Sequence, residues 1–470
     1  MAILTEQKKE HGHSWLDAAS IEAQLQCSTP DPVRVKEILQ QARTLKGLTP
    51  DEVAVLMQVE SPRLLEELFD TAKRVKEEIY GKRIVLFAPL YVSNVCRNEC
   101  LYCAFRASNK NLVRRTLSYE EIASETRAMI RTGQKRIVLL LGEAYPQEGF
   151  DYLLNAIRTV YDTKEGPGEI RRVNVEIAPL SVEDFKRLKK AEIGTYITFQ
   201  ETYHEATYEQ VHRAGKKAEF NWRLECMDRA MKAGIDDVGL GVLFGLADWR
   251  FEMLALMQHA RHLEIQFGCG PHTISVPRIE PAAGSDLSNN PPHAVSDADF
   301  KKIIAIIRLA VPYTGMILST RERAEIRREC LQLGISQISA GSRTDPGGYE
   351  SENHSSAQFC LGDHRSLDEV VRDLSEMNFV PSFCTACYRM GRTGQDFMDL
   401  AKPGLIQQFC MPNGIFTFYE YLLDFASKET FQKGELLIKE MIGGMKNEKL
   451  KNKVISIIKK IKEGQRDLYL

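Results

Sequence analysis

The segment Cys96-Arg-Asn-Glu-Cys100-Leu-Tyr-Cys103 sets three cysteines at C-x3-C-x2-C spacing. Three thiolates can hold three irons of a 4Fe-4S cube and leave the fourth iron without a protein thiolate. That open corner can take a small chelate through nitrogen and oxygen, and the amino acid end of S-adenosylmethionine offers both. An electron passed from such a cluster into the sulfonium breaks a carbon–sulfur bond and releases a 5′-deoxyadenosyl radical. A zinc knuckle is the competing reading, but zinc spacing usually pairs two C-x2-C units. A second triplet, Cys384-Thr-Ala-Cys387 and then Cys410, has C-x2-C-x22-C spacing. It suits either another site-differentiated cluster or a structural zinc completed by a histidine. Cys27, Cys226, Cys269, Cys330 and Cys360 show no such spacing and read as core or incidental thiols.

Ligands this close together need a rigid element to carry them. The first triplet follows the β-rich run 84–92 (IVLFAPLYV), and further runs lie at 136–143, 173–180, 195–202, 237–244, 272–280, 315–322 and 334–341. Segments of helix length and periodicity separate them, among them 118–132, 149–163, 181–191, 296–311 and 366–378. Eight strand-then-helix units predict an α/β fold of the (β/α)8 TIM-barrel type, favoured on unit count over an open doubly wound sheet. Residues 1–80 are expected to form an N-terminal helical extension, with start signals at Asp31-Pro32 and Thr49-Pro50-Asp51-Glu52. Residues 81–380 form the expected barrel. Residues 381–470 form a mainly helical C-terminal domain holding the second triplet, with a Lys-rich solvated face at 441–465.

The 470 residues carry 62 basic and 64 acidic side chains spread along the chain, so no basic stripe suggests nucleic acid as a partner. The leader MAILTEQKKEHGHS is polar, and no apolar run is long enough for a signal peptide or a membrane span. A soluble cytoplasmic protein with its thiols reduced and available for metal is the expectation.

The first triplet resembles the signature of the radical S-adenosylmethionine superfamily, and further positions match that superfamily's cofactor elements. Tyr102 stands at the aromatic position that lies against adenine. Gly142 and Glu143 end the second strand, where exposed backbone holds the methionine ammonium. Glu201 ends the fourth strand and Arg223 opens a later helix, suited to polar ends of the cofactor and to its carboxylate respectively. Gly241, Leu243 and Gly245 resemble the fifth-strand element that packs adenine, although Asp248 replaces a frequent Glu.

The second triplet narrows the resemblance to the tyrosine lyases that mature iron-only hydrogenases. PHTISVPRIEPA (271–282), LSTRE (318–322) and ISQISAGSRTDPGGY (335–349) are also similar to 2-iminoacetate synthase, a relative without the C-terminal cluster region. The resemblance implies cleavage of L-tyrosine at Cα–Cβ to p-cresol and dehydroglycine, which is then broken into carbon monoxide and cyanide. It implies capture of both on iron as an Fe(CO)2(CN) precursor, two 4Fe-4S clusters with a labile fifth iron at the second, an external electron donor and hydrogenase-maturation partners. The substrate carboxylate needs a guanidinium fork, for which Arg321 and Arg323 past the seventh strand are candidates, with Ser319, Ser339 and Ser342 as hydroxyl partners. His272 precedes the sixth strand, at the opposite barrel end from Cys96. The resemblance makes it the ligand of the extra iron, and a core histidine is the plain alternative. A thiazole-pathway tyrosine lyase and a non-catalytic iron–sulfur carrier are the competing functions. The second triplet argues against the first, and the cofactor positions argue against the second.

Overall fold

The computed structural model describes residues 15–27, 30–351 and 356–470. The polar leader on which the signal-peptide reading rests lies outside the described residues. Helices Ala18–Cys27, Pro32–Ala42, Pro50–Met57 and Pro62–Tyr80 come first. The sequence punctuates them: Asp31 accepts hydrogen bonds from Val33 and Arg34 backbone N–H groups, and Thr49 with Glu52 forms a capping box ahead of Pro50.

Eight parallel strands then close into a barrel: β1 (Arg83–Ser93), β2 (Arg136–Leu141), β3 (Arg172–Glu176), β4 (Tyr196–Ile197), β5 (Val238–Gly241), β6 (Thr273–Ser275), β7 (Gly315–Leu318) and β8 (Gln337–Ser339). Closure runs from β8 back to β1, with Val85, Leu86 and Phe87 opposite Gln337, Ile338 and Ser339. The expected barrel is therefore present and the open sheet is not. The helices between strands shield the outside of the sheet, which is why the strands read as unbroken apolar runs such as RIVLLL in β2.

The run 195–202 is a regular strand only over Tyr196–Ile197, after which Thr198 and Gln200 still donate to the carbonyls of Gly239 and Gly241 in β5. Beyond it the backbone turns through Glu201 at φ +71°, in the left-handed region that a carboxylate side chain seldom occupies. A ninth strand, β9 (Val380–Ser382), pairs parallel with the foot of β1, Arg83 opposite Val380. This strand ties the C-terminal part of the chain to the bottom of the barrel.

Helices Gly394–Ala401, Gln407–Asp424, Lys428–Gly443 and Glu448–Lys462 make up most of the remainder. Glu420, fully buried in the second of these, meets Lys135 at 2.5 Å and Arg171 at 2.8 Å from the feet of the barrel. Two cations around one carboxylate compensate its desolvation, so this buried contact fixes register as well as position. One apolar core runs from Leu68 through Ile84 and Leu139 to Phe416 and Ile438. Among the described residues no helix is long and apolar enough to cross a membrane.

Candidate active site and second cysteine centre

A closed parallel barrel sorts residues by end, because side chains at strand C-termini gather at one mouth and those at strand N-termini at the other. The inward positions of β1 show this directly. Arg83 and Val85 line a lower cavity, whereas Phe87, Pro89 and Tyr91 line an upper one. The same split separates Arg136 from Val138 and Leu140, and Gln337 from Ser339.

At the upper mouth Cys96, Cys100 and Cys103 share a cavity with Gly142, Glu143, Glu201 and Arg223. The loop after β1 is held by its own hydrogen bonds. Asn94 Oδ1 accepts from Arg115 N at 2.7 Å, and Arg114 donates to the carbonyls of Asn94 and Phe105, each at 2.8 Å. Phe105 N donates to Cys103 Sγ at 3.4 Å. Arg223 Nη1 lies 3.0 Å from Glu143 Oε1, and its Nε donates to the Phe199 carbonyl at 2.6 Å. Burial would raise the Glu143 carboxyl, but Arg223, Lys217 and the Asn98 amide together hold it below the usual range. Arg223 sits inside the short helix Phe220–Leu224 instead of opening one.

Sequence reading missed three partners here. Asn98, inside the first triplet, donates to Glu143 at 2.6 Å; Lys217 pairs with Glu201 at 2.7 Å; and His212 Nε2 meets Tyr102 Oη at 2.8 Å. Leu243 packs in a small apolar cluster against Tyr102 and Val211. Gly241 makes room for Phe199, since a Cβ there would come within 2.3 Å of that ring, and Gly245 has φ +120°. Asp248 caps the helix Trp249–Phe267 through a hydrogen bond from Arg250 N.

Beside this cavity lies another, sharing Tyr91, Leu140, Glu176, Phe199 and Gln358 with it. Its wall is apolar except for a few polar groups, among them Ser319, Ser339 and Arg321. The two arginine candidates part company here. Arg321 points into the cavity with its guanidinium 3.4 Å above the Phe359 ring, and no described carboxylate lies within ion-pair distance of it. Arg323, its side chain 65% exposed, pairs instead with Asp297 at 3.0 Å at the start of the helix Ala324–Leu333. Ser342 is buried but does not line the cavity. An anionic ligand is what a half-buried, unpaired guanidinium in a cavity wall lacks. Arg321→Lys, which keeps charge but loses the planar fork, should raise the substrate concentration for half-maximal turnover about tenfold or more, whereas Arg323→Lys should leave it unchanged. Steady-state kinetics of both variants measures this; equal behaviour would place the carboxylate elsewhere.

At the lower mouth Cys384, Cys387, Cys410 and His272 line a single cavity. Pairing of β9 with β1 brings Cys384 under the barrel, and Cys410 enters from the first turns of helix Gln407–Asp424. His272 is 9% exposed and packs its ring against Phe397 at 4.5 Å. Asp237 Oδ1 stands 3.4 Å from its Nδ1. Arg83 and Arg136 share the wall without an ion pair to any described carboxylate. Burial opposes the charge of Arg83, but the sulfurs of Cys410 and Cys384 outweigh it and raise its pKa.

Three thiols line each cavity, a donor set that suits a multi-iron cluster in which separate irons each take one thiolate. The donor sets at both mouths thus fit iron–sulfur clusters, and the upper cavity has polar groups for a zwitterionic cofactor beside its thiols.

Residues 90–257 match the radical SAM superfamily, and residues 275–380 match the biotin and thiamin synthesis associated domain. The crystal structure of HydG, described as a maturase of the FeFe-hydrogenase, superposes with a TM-score of 0.94 at 48% identity, covering 97% of this chain and all 100% of that one. The chain belongs to the HydG family. HydG from Carboxydothermus hydrogenoformans aligns at TM-score 0.82 and 42% identity, over 94% of this chain and 97% of its own. The 2-iminoacetate synthase of Escherichia coli (strain K12) is 32% identical over 361 residues, which are 92% of that protein but 76% of this chain. HydG similarity therefore extends over a share of the chain that the synthase leaves unmatched.

Proposed function

We propose that this chain is a radical S-adenosylmethionine lyase that cleaves L-tyrosine at Cα–Cβ to p-cresol and dehydroglycine at the upper mouth. Dehydroglycine is then converted to carbon monoxide and cyanide, which are assembled on iron at the lower mouth as an Fe(CO)2(CN) precursor for a hydrogenase. The observation that carries this reading is the placement of two cysteine triplets at opposite mouths of one barrel, the second with His272 in its cavity.

Cys96, Cys100 and Cys103 would hold the first cluster, and Arg223 with the Gly142–Glu143 strand end would hold the amino acid part of the cofactor. When bound, the two together supply a carbon-centred radical able to take a hydrogen atom from substrate. Arg321 holds the tyrosine carboxylate, with Ser319 and Ser339 beside it, while Phe87, Val138 and Ile317 exclude water from the reacting bond. Cys384, Cys387 and Cys410 would hold the second cluster. His272 would bind the additional iron that becomes product, through a ring whose Nδ1 has no hydrogen-bond partner in the described residues. In this reading residues 381–470 are the auxiliary-cluster domain, and the barrel interior carries dehydroglycine between the mouths. An external electron donor and hydrogenase-side acceptors complete the cycle.

Anaerobically reconstituted protein, given S-adenosylmethionine, reductant and tyrosine, should yield 5′-deoxyadenosine, p-cresol and carbon monoxide. Chromatography and haemoglobin trapping measure these products. p-Cresol without carbon monoxide would indicate a 2-iminoacetate synthase instead, and an absence of p-cresol would remove the tyrosine reading altogether.

A further inference from the structure

We infer that Glu176 holds the α-ammonium of the amino acid substrate, so that with Arg321 it forms a clamp for the zwitterion and selects amino acids over their 2-hydroxy analogues. This rests on the proposed amino acid chemistry at the upper mouth and adds a specificity determinant to it.

Glu176 is the last residue of β3, and it lines both upper cavities, between the cysteine triplet and Arg321. Its carboxylate forms no hydrogen bond or ion pair with any described residue. Leu140 and Phe199 stand beside it in both cavities, with Tyr91 and Gln358 as the shared polar neighbours. Of the cations at this mouth, Lys217 is engaged by Glu201 at 2.7 Å and Arg223 by Glu143 at 3.0 Å. Arg321 has a ring and no carboxylate for a partner. The cavity beside the cysteines thus presents one unpaired anion and one unpaired cation.

A charge enclosed this way is costly unless a ligand neutralises it. Burial, and then the negative charge of Glu201, push the Glu176 carboxyl up to about 7 against the weaker opposing pull of Arg321, Lys217 and Arg223, and an arriving ammonium in contact would reverse that penalty. A free α-amino acid satisfies both groups at once, with its carboxylate on Arg321 and its ammonium on Glu176. The polarity of the clamp directs the ammonium end toward the cavity that holds the cysteines. A 2-hydroxy acid satisfies only Arg321 and leaves Glu176 unpaired.

The test uses reconstituted holoenzyme and equilibrium dialysis with L-tyrosine, with 3-(4-hydroxyphenyl)lactate and with S-adenosylmethionine. The wild type should prefer tyrosine over the lactate about tenfold or more, the scale of a charge-assisted hydrogen bond. Glu176→Gln should weaken tyrosine by about that factor, leave the lactate unchanged and so abolish the preference. Glu176→Asp, which keeps the charge, should restore part of it. Unchanged S-adenosylmethionine affinity in both variants shows that the fold and the cofactor pocket are intact. A retained tyrosine preference in Glu176→Gln overturns the inference, as does a loss confined to S-adenosylmethionine, which would make Glu176 a cofactor residue. Failure of the wild type to bind tyrosine would overturn the substrate reading itself and the clamp with it.

Discussion

Cys100→Ala should abolish 5′-deoxyadenosine and p-cresol together, with both falling to the background of protein-free controls. Cys100 is the most buried of the first triplet, at 5% exposure, and it lies where the chain bridges back to His212. Burial pushes its thiol well above the ordinary range, so giving up the proton there is unfavourable unless a metal takes its place. Alanine leaves two thiolates for three irons, and a cluster with a second open iron cannot be held in the one orientation that faces the cofactor cradle. Because cofactor cleavage precedes substrate cleavage, both products should vanish by the same factor. Cys360→Ala supplies the control, since that thiol is exposed and lines none of the cavities described. The measurement is quantitative chromatography after anaerobic reconstitution. p-Cresol formation at an appreciable fraction of the wild-type rate in Cys100→Ala would refute the assignment of the first triplet.

How much of this was legible in the chain depended on the range of the signal. Strand positions were readable because a sheet covered on its outside by helices demands apolar runs, and β1, β2 and β7 begin within a residue of the runs read for them. The span of the fourth run was not readable. Its letters suggest a regular strand to residue 202, but the regular strand ends at Ile197, and only single hydrogen bonds from Thr198 and Gln200 and a bridge at Glu201 carry the pairing with the β5 side further. The cysteine triplets were legible because ligand spacing is local, and the barrel rule then sent Cys96 and His272 to opposite ends.

Arg321 and Arg323 were not separable from sequence. They are two residues apart in one loop, and only the turn before helix Ala324–Leu333 decides that the first faces inward and the second meets Asp297. Lys217 left no trace, because its partner Glu201 is 16 residues away, across the helix Glu205–Val211 and the turns on either side of it. Glu176 did leave one. It is a carboxylate closing the buried run Val173-Asn174-Val175 at a strand C-terminus, the same place in β3 that Gly142–Glu143 take after β2. A charged residue there reads as functional under the rule that located the first triplet.

His272→Ala should produce the narrowest large defect. 5′-Deoxyadenosine and p-cresol should stay near wild-type levels, while the infrared bands of iron-bound carbon monoxide and cyanide disappear. The separation arises from barrel geometry: His272 lines the lower cavity alone, whereas the residues proposed for radical chemistry line the upper pair. The severity arises from ligand count. Irons of a cube are held by sulfide and thiolate, whereas an iron outside it has few ligands and depends on each. Loss even of a supporting partner costs about ten- to a hundredfold in metal affinity, and loss of a direct imidazole ligand should cost at least as much. The structure also removes the obvious substitutes. His259 meets the Tyr203 hydroxyl at 2.7 Å and His262 meets Asp228 at 2.9 Å, and neither lines the lower cavity. Iron counted per chain by Mössbauer spectroscopy should fall by one site in His272→Ala with both cubes intact, a readout independent of turnover. Cys384→Ala should instead lose the whole second cluster while p-cresol persists. If His272→Ala shows wild-type carbonyl and cyanide bands and an unchanged iron count, the histidine is a core residue packed on Phe397, and the second centre binds its product iron through other groups.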